Sequence, residues 1–198
     1  MPDFSDHWWS SVEAAAVVGQ RLGASAGEFN AACEHIVQLL IDASMLLEGN
    51  SHATAAFLSI TAIEETAKVH IGSFRRSTTP VARRKDPLYG HAEKHKLALG
   101  PTVAMGNRLQ AAIGEDRMRE LMEQGQAGDL VKIREAALYV EQGAGGLVTP
   151  SSAVSPQTSR ELLLLAIEAF DDALVGFTSR SLELGQATDA LFSRWADA

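Results

Sequence analysis

The stretch Ala55-Ala-Phe-Leu-Ser-Ile-Thr-Ala-Ile-Glu-Glu-Thr-Ala-Lys68 decides the fold. At about 100° per residue, Ala56, Ile60, Ile63, Ala67 and Ile71 fall within roughly 60–80° of one another, the apolar stripe of a helix that packs on other helices. Glu64 projects about 60° from the centre of that stripe, between Ile71 and Phe57. Lys68 lies just beyond Phe57, and Glu65 points toward the opposite face. Glu64 is therefore expected to be at least half buried. An ionised carboxylate in that position is costly unless it is paired and hydrogen-bonded.

Working toward the N-terminus, Ile36, Leu39/Leu40, Ala43 and Leu46/Leu47 recur at three- and four-residue steps and predict a helix from about 28 to 48. Gly49-Asn50 ends it, glycine tolerating the left-handed conformation that follows a helix. Ser51 is the expected cap of the next helix, which runs to about 72. So short a turn implies an antiparallel hairpin. Residues 1–27, with Trp8-Trp9 and an alanine-rich stretch, read as an N-terminal extension or a short helix that docks by its tryptophans. Residues 28–198 read as the main domain.

Toward the C-terminus, residues 73–88 carry two prolines and paired arginines and read as a loop. Helical patterns follow over about 88–99, stopped by Gly100-Pro101, then 102–125 and 128–142. Gly143–Pro156 reads as loop. Ser155-Pro156 opens the last helix, with serine as cap and proline in the first turn. That helix is expected over 157–185, with Leu163, Ile167, Phe170, Leu174, Phe177 and Leu184 in a stripe and Ala166, Ala169, Ala173 and Gly176 in a row of small residues beside it. The pattern predicts an all-α, antiparallel helical bundle with a long C-terminal helix and no strand.

The chain of 198 residues suffices for a substantial core. Its one cysteine, Cys33, excludes an internal disulfide and a cysteine-rich zinc site. No apolar run approaches the roughly 20 residues of a bilayer span, and Met1-Pro-Asp-Phe-Ser-Asp lacks the basic and apolar regions of a signal peptide. The expectation is a cytoplasmic protein that does not engage membranes. The net charge is −8, which disfavours broad binding to nucleic acid. Yet Lys68 to Lys96 holds eight Lys/Arg against Asp86 and Glu93, a local +6. Such a segment on an acidic body suits a phosphate backbone, an acidic partner, or simply solvent.

A second charged position sits on an apolar face. In Lys132-Ile-Arg-Glu-Ala-Ala-Leu-Tyr-Val140, Arg134 projects between Leu130 and Leu138, with Ile133 and Ala137 on the same side. Tyr139 lies near Lys132 and Glu135. A guanidinium there seeks a carboxylate, so Glu64 and Arg134 are expected to pair across the bundle with Lys68 nearby. The pair either fixes helix register or belongs to a site.

His91 and His95 share a helix face, but a zinc site needs a third ligand, and the Glu-x-x-His pairs of a di-iron bundle are missing. No metal and no cofactor is expected. Arg84 is followed after six residues by His91. In such a pair, arginine steadies a phosphate while histidine moves protons during attack by a ribose 2′-hydroxyl.

Three segments, in order, resemble the AbiV family of bacterial abortive-infection proteins, which are related to HEPN-type helical domains. Ala55–Lys68 is similar to its Ile-Glu-Glu-x-x-Lys helix, His91-Ala-Glu-Lys94 to its His-x-x-Lys element, and Lys132–Tyr139 to its Arg-Glu-x-x-x-Tyr helix. Ala67 stands where the family usually has glycine. The resemblance implies a HEPN-like bundle that dimerises and halts phage growth (antiviral defence) by acting on RNA or translation. Many HEPN domains are metal-independent ribonucleases with an Arg-x4–6-His motif, which implies Arg84 and His91 as catalytic residues. Lys94, Lys96 and Arg134 are the expected phosphate contacts. Glu64, Glu65, Lys68, Arg134 and Tyr139 form the expected charged network. The other reading is a non-catalytic helical module that binds a phage or host protein.

Overall fold

The computed structural model describes residues 25–75, 85–99 and 107–197. Trp8-Trp9, Arg84 and Gly100-Pro101 lie outside them. Two long helices, α1 (Ala26–Glu48) and α2 (His52–Phe74), form the expected hairpin. Its turn differs in detail. Gly49 keeps φ −79°, and Asn50 takes the left-handed conformation at φ 58°. Asparagine tolerates that region better than most residues. Ser51 sits at the cap position, but its hydroxyl bonds Thr54 Oγ1 at 3.3 Å rather than a backbone N–H.

A 3-10 turn, Pro87–Tyr89, leads into α3 (His91–Ala98), followed by α4 (Asn107–Ile113), α5 (Glu115–Ala127) and α6 (Leu130–Ala136). The predicted helix over 128–142 stops early. A hairpin of β1 (Glu141–Gly143) and β2 (Gly146–Val148) replaces its end, pairing Glu141 with Val148 and Gln142 with Leu147. The expectation of no strand is thus corrected. Gly146, at φ 123°, makes the tight reversal that the glycine run had suggested only as loop. Leu138 is consequently exposed instead of extending the apolar face of α6, and Tyr139 beside it is exposed as well.

After a short helix, α7 (Pro150–Ala153), the C-terminal helical region is divided into α8 (Pro156–Leu174) and α9 (Ser179–Ala196). Ser155 caps α8 as expected, accepting from Thr158 N at 3.0 Å. The break follows from Gly176 at φ 92° and a new cap at Thr178, whose hydroxyl accepts from Ser181 N at 3.0 Å. It moves Phe177 from the expected core stripe to the surface.

The core forms where α2 packs between α1 and α8. Ala55, Ala56 and Ala62 of α2 and Ala166, Ala169 and Ala173 of α8 are all buried. Small side chains on both helices let the backbones approach closely, while Phe170, Ile60 and Ile63 fill the remaining volume. α3 and α6 lie against α2. That placement aims Glu64, on α2, at α3. No helix among the described residues is long and apolar enough to cross a membrane.

Candidate functional site

Glu64 is 2% exposed, and its carboxylate is surrounded by cations and imidazoles. His91, Lys94 and His95 occupy positions i, i+3 and i+4 of α3, a spacing that sets three side chains on one helix face. Lys94 Nζ donates to Glu64 Oε2 at 2.5 Å, and His91 Nδ1 lies 2.7 Å from the same oxygen. His95 Nε2 lies 3.1 Å from Oε1. Arg134 of α6 reaches Oε1 with Nε at 3.5 Å, an ion-pair distance longer than a hydrogen bond, and its guanidinium covers the Phe57 ring at 4.9 Å.

Burial alone would raise the pKa of Glu64. Hydrogen bonds from His95, Lys94 and His91, with the Lys94 charge, overcome it and bring the carboxyl down to about 2. Glu64 is therefore an ionised, acceptor-only group at neutral pH. That fixes the tautomers: His91 donates through Nδ1–H and His95 through Nε2–H. In neutral His91, Nε2 then carries the lone pair, and the His91 side chain is 45% exposed. His95 is wholly buried, and its Nδ1 finds no hydrogen-bond partner among the described residues.

The start of α3 is fixed separately. Arg75, the residue after α2, makes a bidentate pair with Asp86 at 2.7 and 2.6 Å, both side chains buried. Asp86 also accepts from Leu88 N at 2.9 Å and so caps the 3-10 turn. The Arg75 guanidinium and the Leu88 amide hold the Asp86 carboxyl below the usual range despite its burial.

Glu64, His91, Lys94 and Arg134 thus meet at one point, with His95 as a partner that zinc spacing alone had drawn attention to. The Glu64–Arg134 pairing exists only as the longest of four contacts. Lys68 belongs elsewhere: its ammonium bonds both oxygens of Glu65 at 2.6 Å on the outer side of α2. Lys94 is buried on Glu64, so its charge does not face a phosphate. Lys96 is exposed and bonds Glu93 at 3.1 Å. Tyr139, 62% exposed, stands outside the network. Nothing in the residue pattern signalled the Arg75–Asp86 pair.

A second charged cluster was also unforeseen. Arg108 of α4 bonds Glu168 and Asp171 of α8 and Asp189 of α9, and stacks over Phe192 at 4.2 Å. Arg108, Glu168, Asp171, Asp172 and Asp189 line a cavity of about 480 Å³. Burial raises both Asp171 and Asp172 to about 6.

Residues 26–169 match a family of HEPN-type helical domains, and the Glu64 cluster lies wholly within them. The chain belongs to that family, AbiV, and so to the HEPN-type abortive-infection proteins. No curated protein and no solved structure matches it.

Proposed function

We propose that this protein is a defence effector acting on RNA, with His91 as the proton-transfer group of a metal-independent cleavage. One observation supports this above the others: His91 is half exposed while its Nδ1 is held at 2.7 Å by the ionised Glu64. A buried carboxylate that orients an imidazole leaves the other ring nitrogen aimed outward as a base. In the reaction, Nε2 takes the proton of a ribose 2′-hydroxyl as its oxygen bonds phosphorus. The bond to the 5′-oxygen breaks, water protonates that oxygen, the hydroxide so formed takes the proton back from His91, and a 2′,3′-cyclic phosphate remains. Arg84 and Arg134 are the guanidinium groups assigned to the phosphate, and Lys96 lies on the same helix as His91. The active form is a cytoplasmic homodimer in this reading.

Pure protein should cleave RNA in EDTA, and His91→Ala should abolish cleavage while the helical content and melting temperature persist. Failure of the wild type to cleave any of a panel of cellular RNAs would sink the catalytic reading. A specific observation favours the alternative, a non-catalytic interaction module: Lys94 already neutralises Glu64, as a purely structural ion cluster requires. That reading expects no cleavage and a phage or host protein recovered on the tagged chain from infected cells.

A further inference from the structure

An exposed aromatic patch lies at one end of the bundle. Phe74, the last residue of α2, is 53% exposed, and Phe177, in the link between α8 and α9, is 52% exposed. Their ring centroids are 6.1 Å apart, edge to face. His70 packs on both, at 5.4 and 6.4 Å, and Phe29 packs on Phe177 at 5.8 Å. Burial holds the His70 pKa below its usual value, so this is an apolar surface with an uncharged imidazole in it. Two half-exposed phenylalanines in contact are more than the scattered apolar residues of an ordinary surface.

Phe29 sets the patch beside the start of α1. It stands in the first turn of α1, only four residues after Ser25, which places the entry of the chain into α1 about 6 Å along the helix from the patch. The preceding segment, residues 1–24, holds two of the protein's three tryptophans, with Phe4, Val12, Val17, Val18 and Leu22. Trp8, Val12 and Ala16 recur at four-residue steps, the sequence spacing of one apolar face of a helix. Twelve residues separate Val12 from Ser25, a reach of about 20 Å even if the intervening chain is helical. The segment that leaves the patch on the other side, residues 76–84, is Arg-Ser-Thr-Thr-Pro-Val-Ala-Arg-Arg, too polar and basic to bury phenylalanine. A tethered segment also acts at an effective concentration in the millimolar range, which a second copy does not reach in solution.

We propose that residues 1–24 dock on the Phe29–Phe74–Phe177 patch through the face of Trp8 and Val12. The N-terminal segment is then a strap across the end of the bundle, tying the entry of α1 to the exit of α2 and to the α8–α9 link. The contact does not depend on the RNA reading.

The test uses the full chain with Trp195→Phe, so that emission comes from Trp8 and Trp9 alone. Docked tryptophans should emit at shorter wavelength than free indole, and trypsin should cut slowly after Arg21. Phe177→Ser should move the emission to longer wavelength and speed cleavage after Arg21 by about tenfold, the effect of losing one aromatic anchor. Phe74→Ser should do the same in part, and Leu147→Ser, on the distant hairpin, should do neither. Circular dichroism must show that each variant is folded; both phenylalanines are half exposed, so the bundle should tolerate their loss. Unchanged emission and unchanged cleavage in both folded phenylalanine variants would overturn the proposal. So would sedimentation showing that Phe177→Ser splits a dimer while the tryptophan emission stays put, because a second copy would then own the patch.

Discussion

Lys94 Nζ and Glu64 Oε2 stand 2.5 Å apart with both side chains almost wholly buried, the shortest contact in a site where one carboxylate serves three other basic groups. The carboxylate is therefore the common counter-charge. Removing it leaves a buried ammonium with no anion among His91, His95 and Arg134. Breaking a buried pair from one side typically costs about 3–5 kcal/mol. Glu64→Gln should lose an amount of that order in urea denaturation. Adding Lys94→Met to it should restore part of the loss, a coupling visible in a double-mutant cycle. Additive losses would show that the two groups do not support each other.

Two groups of carboxyls act in opposite senses as pH changes. Glu64 has its folded pKa depressed to about 2, so its stabilisation is full above its unfolded value near 4.5 and is lost as pH falls toward 2. Asp171 and Asp172 are raised to about 6 from 3.8. The folded state binds their protons more tightly than the unfolded state does, so stability rises as pH falls from about 7 through 6 toward 4. Together they place the maximum on the acid side of neutrality. The urea midpoint measured from pH 8 to 3 should climb and then fall. Asp172→Asn should flatten the climb, and Glu64→Gln the fall.

Lys96 is exposed on the turn after His91, and its partner Glu93 is exposed as well. Such a pair adds little to stability, so Lys96→Gln should melt within a degree or two of the wild type. If the site takes a single RNA strand, the same change should weaken binding and lower the slope of log affinity against log salt by about 0.7, the value of one phosphate contact. Filter binding between low and moderate salt measures both. An unchanged slope would remove Lys96 from the RNA surface.

Asn50 carries the left-handed residue of the α1–α2 turn. A β-branched residue there meets its own carbonyl, at a cost of roughly 1–2 kcal/mol. Asn50→Val should therefore lower the urea midpoint, whereas Asn50→Gly should leave it nearly unchanged, and thermal melts of the pair would show the difference.

The helical hairpin and the inward turn of Glu64 were legible because both follow from periodicity, which is a property of a single helix. The partner of Glu64 was harder. Projection put Arg134 on an apolar face and so linked it to Glu64. It could not rank Arg134 against His91, Lys94 and His95, because the packing of α3 on α2 depends on the path of the connecting chain. The break at Gly176 was hidden by an apolar stripe that continues across it, and the strands at 141–148 by their three-residue length. Arg75 and Asp86 carry no mark in the sequence: each looks like an ordinary charge in a basic, proline-containing stretch, and only the fold sets them face to face.

The Arg75–Asp86 pair closes the chain between α2 and the 3-10 turn at its base, like a clasp on a loop of cord. The exit of α2 and the entry of the His91 helix are thereby tied directly to each other by two residues 11 positions apart in sequence. The station of the His91 helix therefore rests on an ion pair outside the site as well as on Glu64 within it, so the imidazole has two separate moorings.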